Sequence, residues 1–302
     1  MPVPDGLEGD RLDSALARMF GLSRTRAAEL VAEGNVRLDG ADTAKSDRVV
    51  AGAWLEVTLP PPPSAPVPRP QPVPGLDVVH EDGDIIVVDK PVGVVAHPTL
   101  GWSGPTVVEG LLDSGVQLAA SGAAERQGIV HRLDANTTGL MVVAKSERAY
   151  SRLKSAFRER VVDKGYRTLV QGHPDPLRGT IDAPIDRHPS GGGRFAVVSG
   201  GRASVTHYET IEAFRAASLL EVTLETGRTH QIRVHMAAMR HPCVGDHLYG
   251  ADPTLAARLG VDRQWLHAVR LAFDHPTRGD RVEFRSAHPQ DLEAAVEMLR
   301  DA

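Results

Sequence analysis

The densest chemistry in the chain lies in "HRLDANTT", His131 to Thr138, where the carboxylate of Asp134 stands two residues from Arg132. Residues two apart in an extended segment point the same way, so Arg132 and Asp134 share a face while Leu133 turns to the core. Such a pair has two uses. It can brace a turn as a local ion pair, with Asn136, Thr137 and Thr138 capping it, or it can present a charged carboxylate to a substrate. Spacing alone leaves both open. A second cluster, "GRTHQIRVH", packs Arg228, His230, Gln231, Arg233 and His235 into eight residues at the start of a helix. Helix starts rich in donors suit phosphates or a carboxylate, and equally suit solvent. Tyr166, in "KGYRTLVQG", is a strand tyrosine that belongs either to the core or to a site.

Several other chemistries lack their residues. No GxxxxGK[ST] loop occurs, and "SGGGRFAVVSGG" does not have the GxGxxG spacing that opens a dinucleotide-binding helix. That glycine-rich stretch reads as a hairpin. HExxH and GxSxG are absent. His230 and His235 stand roughly 140° apart around a helix, too far to share one metal. The single cysteine, Cys243, excludes an internal disulfide and a CxxC zinc site, and it fits a reducing compartment. No metal and no cofactor is expected.

These residues need a scaffold, and the patterning supplies one. "DIIVVDK", "GLMVVAK", "KGYRTLVQG", "VTHYETIEAF", "SLLEVTLET", "WLHAVRLAFDHP" and "RVEFRS" read as strands. Helices are expected near Thr106 to Leu112, over "SERAYSRLKSAFRER" with Ser146 as cap, after Gly227, and over "PQDLEAAVEMLR". Strands come in runs with helices interspersed irregularly. That pattern favours α+β, with a mixed, mostly antiparallel sheet flanked by helices and loops, over regular βαβ winding.

Nine prolines between Pro60 and Pro74 mark an extended spacer ahead of this large unit. Before it, "RLDSALARMFG" and "SRTRAAELVAEG" read as two short helices, the second capped by Ser23, followed by short strands in "NVRLDG" and "AWLEVTLP". Arg24 and Arg26 sit at the entry of the second helix, where phosphates bind well.

Composition is that of a soluble globular protein, 41% hydrophobic and 24% charged over 302 residues. No apolar run approaches the ~18 residues of a membrane span. The N-terminal "MPVPDGLEGDRLD" does not read as a secretory signal, so a cytoplasmic protein is expected. The net charge of -5 does not itself suggest a nucleic-acid partner. Its distribution does more, since Lys145 to Arg167 holds eight basic residues against three acidic ones. Such a run is either a solvated helix face or an RNA contact.

The segments "HRLDANTTGLMVVAK", "KGYRTLVQG" and "LETGRTHQIRVHMAAMRHPCVGDHLYG", flanked by "DKPVGVVAHP" and "LHAVRLAFDHP", occur in this order and resemble the pseudouridine synthases of the large-ribosomal-subunit type. The resemblance runs from about Asp77 to the C-terminus. "RLDSAL…LSRTRAAELVAEGNVRLDG" is similar to the small alpha-L RNA-binding domain. The implied organisation is an α/β RNA-binding domain over 10–59, a proline-rich linker over 60–76 and a catalytic domain over 77–302. The implied activity is isomerisation of uridine to pseudouridine within RNA, large-subunit ribosomal RNA first and transfer RNA as the alternative, by a cytoplasmic monomer. The resemblance implies Asp134 as the catalytic carboxylate, Arg233 as the cation that holds it charged and oriented, and Tyr166 as a ring that stacks on the uracil and relays a proton. His131, Arg132, Arg228 and His230 would bind substrate, Arg132 by holding the flipped-out base, and Arg24 and Arg26 would meet RNA from the small domain. A hydrolase of N-glycosidic bonds would want a second carboxylate to activate water, and none adjoins these motifs in sequence.

Overall fold

In the computed structural model the chain forms two compact units, Met1–Ser64 and Ala65–Ala302, and residues 1–59, 67–121 and 124–301 are described. In the first unit, helices α1 (Leu12–Phe20) and α2 (Arg24–Ala32) precede strands β1 (Val36–Leu38), β2 (Ala41–Asp42) and β3 (Leu55–Val57). The strands pair antiparallel in the order β2-β1-β3. Leu12, Ala15 and Leu16 of α1 and Ala27, Leu30 and Val31 of α2 share one small core. Gly21, in the left-handed conformation, ends α1, and the Ser23 hydroxyl caps α2 by accepting the Arg26 N–H. These are the expected stop and start signals.

The expected proline-rich spacer falls partly on residues 60–66, outside the described residues. The rest of it is not a free spacer. Val73 and Leu76 pack against the core of the second unit, and the Gln71 side chain donates to Glu109 at 2.8 Å. A Cβ on Gly110 would approach Leu76 and Val73 at 2.8 Å, so glycine lets this segment lie close on its helix.

The second unit runs β4 (Asp77–Glu81), β5 (Ile85–Lys90), α3 (Val107–Asp113), β6 (Thr138–Ala144), α4 (Glu147–Glu159), β7 (Asp163–Gln171), β8 (Arg178–Asp182), β9 (Ile185–Arg187) and β10 (Phe195–Val197). It continues with β11 (Val205–Ala213), β12 (Ala217–Leu224), α5 (Gln231–Ala238), α6 (Pro253–Arg258), β13 (Leu266–Asp274), β14 (Arg281–Arg285) and α7 (Gln290–Arg300). One nine-stranded sheet has the order β4-β5-β6-β13-β7-β12-β11-β8, with β14 paired to β13. Only β6 and β13 pair parallel, at Thr138 with His267 and Gly139 with Ala268; the other pairs are antiparallel. This is the expected α+β arrangement. The glycine-rich stretch forms the β9–β10 hairpin. "GIV" before the HRLD segment is no strand: only Ile129 bridges to Val143.

Burial explains why β5 and β6 read as continuous apolar runs. Both faces of these central strands are covered. Ile86, Val88, Met141 and Val143 enter the core that also holds Tyr166 and Ile232. Ile85, Val87, Leu140 and Val142 enter the core under α4, with Tyr150 and Leu153. The Ser146 hydroxyl caps α4 as expected. Gly139 is required where β6 meets β13: its φ is 112°, and a Cβ there would lie 2.4 Å from the Ala268 carbonyl oxygen.

Candidate active site

Asp134 sits on a turn that enters β6, closed by the Thr137 N–H donating to the Asp134 carbonyl at 3.1 Å. Distant groups hold each outward backbone acceptor of this turn. The Ala135 carbonyl accepts from the Gly93 N–H at 2.9 Å and from Lys90 Nζ at 3.1 Å. The Asn136 carbonyl accepts from Arg263, which is itself clamped in two bonds to Asp291. Gln264 donates to the Thr137 hydroxyl, and Thr138 Oγ1 lies 2.7 Å from His267 Nδ1. Asn136 therefore caps nothing with its side chain; the turn is braced from outside.

Lys90 is fully buried and donates to the carbonyls of Pro91, Val94 and Ala135. Burial pushes its pKa down to about 7, with the Asp134 charge opposing that shift. It ties the "DKPVG" segment to the Asp134 turn. Its only sequence signal is a charged residue at the end of an apolar strand, which ordinarily marks solvent, so sequence reasoning missed it.

The second cluster folds over the first. Gln231 is buried and uses its whole amide. Its Oε1 accepts from Thr226 Oγ1 at 2.7 Å and the Arg228 N–H at 3.0 Å, and its Nε2 donates to Val205 O and Thr206 Oγ1 on β11. That clamp fixes the loop before α5 and places His230 in the left-handed region, φ 57°. Arg233, on the first turn of α5, then reaches Asp134: Nη1 donates to Oδ2 at 3.1 Å. Its other edge donates to Asp246, Nε at 2.6 Å and Nη2 at 2.9 Å. Burial works against the Arg233 charge, but the bonds and charge of Asp246, with Asp134, raise its pKa further above the ordinary arginine value.

Asp246 is a correction to the sequence reading, which found no second acid near these motifs. It is buried and bound at both oxygens to Arg233, so it serves the arginine and is not placed to activate water. Tyr249 was also missed. Its Oη lies 2.7 Å from His230 Nδ1 and accepts from the Phe195 N–H, and its ring lies 5.0 Å from the Arg233 guanidinium. A buried arginine facing one half-exposed carboxylate needs a second counter-charge, and "GDHLYG" was the segment in which to look for it.

Asp134, Tyr166, Arg233, Arg132, Arg228 and His230 all line one cavity of about 450 Å³. Tyr166 is buried, and burial together with the Asp134 charge raises its pKa well above that of an ordinary phenol, so it is neutral. Arg132 does not pair with Asp134. It reaches across to Thr229 Oγ1 at 2.5 Å, while His230 Nε2 stands 3.9 Å from Asp134 Oδ2. His131 also lines the cavity, but its Nε2 accepts the Val142 N–H and its ring stacks on Phe157 at 4.5 Å. Burial lowers the His131 pKa to about 3, which leaves the imidazole neutral. His235 faces elsewhere, toward Thr206 and the Ala183 carbonyl. Among the described residues no cluster of His, Cys, Asp and Glu could hold a metal. Arg24 and Arg26 belong to the first unit, where Arg24 lies 3.5 Å from Asp13 and Arg26 binds Glu29 at 3.0 Å.

A model of the RNA pseudouridylate synthase family matches residues 84–238, which span Lys90, Asp134, Tyr166, Gln231 and Arg233 and stop short of Asp246 and Tyr249. An uncharacterized RNA pseudouridine synthase of Mycobacterium bovis is 59% identical, covering 99% of this chain and 97% of its own. The ribosomal large subunit pseudouridine synthase D of Escherichia coli K12 is 40% identical, covering 99% of this chain and 93% of its own. Among solved structures, human RNA pseudouridylate synthase domain containing 1 superposes with a TM-score of 0.60 at 28% identity, over 78% of this chain and 98% of its own. A cavity with a braced carboxylate, a sequence match over half the chain and full-length relatives at these identities agree: the chain belongs to the RNA pseudouridylate synthase family, isomerases that act on uridine in RNA.

Proposed function

We propose that this enzyme isomerises specific uridines of large-subunit ribosomal RNA, with Asp134 as the acting carboxylate. The observation that carries the reading is the Asp134 carboxylate in the cavity, bound on one side by Arg233 and close to the neutral Tyr166. The substrate choice rests on the full-length relatives named for the ribosomal large subunit.

The reaction breaks the bond from ribose C1′ to N1 of the base. The uracil turns, and C1′ bonds to C5. C5 loses a proton and N1 gains one, so atoms and electrons balance without a co-reactant. Asp134 acts on the ribose as the uracil leaves, by attack on C1′ or by taking the 2′ proton. Arg233 pairs with the carboxylate and aims it, because an unpaired charge in this setting would be expensive. Tyr166 offers a ring for the uracil and, as a neutral phenol, relays a proton without storing a charge. The uridine must leave its stack to reach Asp134, and Arg132 and Arg228 at the cavity are suited to hold the extruded nucleotide. His230 stands beside the carboxylate, and His131 contributes its ring edge. Residues 10–59 act as the RNA-binding domain, 60–76 connect it, and 77–302 carry the chemistry. We read the enzyme as a monomer that meets ribosomal RNA in the cytoplasm.

The test is a carbodiimide and primer-extension map of ribosomal RNA from cells lacking the gene, with rescue by wild type and by Asp134→Asn. Stops that vanish on deletion and return only with wild type support the reading. Stops that return with Asp134→Asn overturn the role of Asp134, and an unchanged ribosomal map transfers the search to transfer RNA.

A further inference from the structure

Six arginine and lysine side chains line the cavity, against two carboxylates, Asp134 and Glu225. Arg233 is held by Asp134 and Asp246, and Glu225 is taken by His207 at 2.7 Å. Arg158 has only exposed Glu159 at 3.7 Å. Arg132, Arg160, Lys164 and Arg228 have no carboxylate oxygen within 4.0 Å among the described residues. Arg132 and Arg228 belong to the two motifs already assigned. Arg160 stands outside the quoted segments, Lys164 opens KGYRTLVQG with no role yet assigned to it, and both come from the junction of α4 and β7.

Lys164 stands two residues before Tyr166 on β7, so both side chains leave the same face of the strand. It is half-buried, and among the described residues the only hydrogen bond of its ammonium is a long one, 3.5 Å to the Thr226 carbonyl. Arg160 ends α4 as its C-cap, two residues short of β7, and it adopts φ 62° and ψ 30°. Glycine is the usual residue there, and an arginine in that conformation is strained. The negative end of α4 offers Arg160 some compensation. It offers less to Lys164, which lies beyond the helix on β7. Two neighbouring cations at a cavity wall without an anion are an arrangement that stability alone would remove. Burial, with the Arg160 charge, pushes the Lys164 pKa down to about 8, and an arriving anion opposes that shift.

We propose that Lys164 and Arg160 seat a backbone phosphate of the RNA strand next to the uridine that enters the cavity. This rests on the reading of the chain as an RNA-uridine isomerase. The phosphate is the one RNA group whose charge and position relative to an extruded nucleotide do not depend on the base. The site therefore fixes where the ribose lies over Asp134 without reading sequence.

The experiment uses the full chain and an in vitro transcript of large-subunit ribosomal RNA. Binding is measured from 50 to 200 mM KCl for wild type, Lys164→Gln and Arg160→Gly. Each lost phosphate contact should lower the slope of log affinity against log salt by about 0.7 to 1. Arg160→Gly should also unfold at a higher temperature than wild type, because it relieves the left-handed backbone, so weaker binding there cannot be misfolding. In a short RNA carrying the modified uridine, a neutral methylphosphonate is then placed at each flanking linkage. One linkage should weaken wild type about tenfold and leave Lys164→Gln no weaker than it already is. Unchanged salt slopes in both variants, or a methylphosphonate penalty that persists in Lys164→Gln, overturn the proposal. A wild-type enzyme that makes no pseudouridine in any RNA overturns the underlying reading instead.

Discussion

The two aspartates at the ends of the Arg233 guanidinium should respond very differently to the same change. Asp246 is 2% exposed and accepts two bonds, at 2.6 and 2.9 Å, from an arginine side chain itself 8% exposed. Asp134 is 24% exposed and accepts one bond, at 3.1 Å. Removing one partner of a buried pair typically costs about 3–5 kcal/mol, because the other charge is left uncompensated. Losing one charged hydrogen bond at a partly exposed site costs about 1 kcal/mol after solvent screening. For a unit of this size a urea m-value of about 2.5 kcal/mol/M converts these to midpoint shifts of about 1–2 M for Asp246→Asn and about 0.4 M for Asp134→Asn. Fluorescence of buried Trp265 reports the unfolding of this unit. Single-turnover pseudouridine formation, measured on the same samples in buffer, should be lost in Asp134→Asn. In Asp246→Asn it should be reduced, because Arg233 loses the anchor that aims it. An Asp246→Asn midpoint within about 0.3 M of wild type would refute the assignment of Asp246 as the structural counter-ion. A shift above about 1 M for Asp134→Asn would show that Asp134 is instead a stability element.

Lys90→Met should leave the Val94 and Pro91 carbonyls without that donor and the Ala135 carbonyl with the Gly93 N–H alone, at about 1–3 kcal/mol for the buried Val94 acceptor, and should loosen the Asp134 turn; thermal unfolding and single-turnover rate check it together. Because burial lowers the Lys90 pKa to about 7, the folded protein binds fewer protons than the unfolded chain between about 7 and 10. Wild-type stability should therefore rise with pH across that window, and Lys90→Met should lack that rise; a flat wild-type profile would mean that the three carbonyls keep the ammonium charged. Arg24→Ala with Arg26→Ala should lower the salt slope of RNA binding without changing the single-turnover rate at saturating enzyme. The effect should fall short of two full contacts, since both arginines already face carboxylates. An unchanged slope would remove that helix entry from the RNA interface.

Helices and strands of this chain were legible because their signals are local. Ser23 and Ser146 cap helices, Gly21 stops one, and alternation or continuous apolar runs mark β5, β6, β7 and β12. The family resemblance carried by the HRLD, KGYR and GRTHQIR segments pointed to Asp134, Tyr166 and Arg233, and the fold brings all three to one cavity. Tertiary packing decided the partners. Arg132 and Asp134 share a face two residues apart, yet each bonds a residue nearly a hundred positions away, Thr229 and Arg233. Local spacing lets two side chains meet, but the fold brings Arg132 an exposed hydroxyl and Asp134 a largely buried guanidinium instead. Asp246 and Lys90 stayed hidden for the same reason. A charge reads as solvent-facing in a sequence, and only a packed interior that withdraws water from Arg233 and from the Asp134 turn makes each of them necessary.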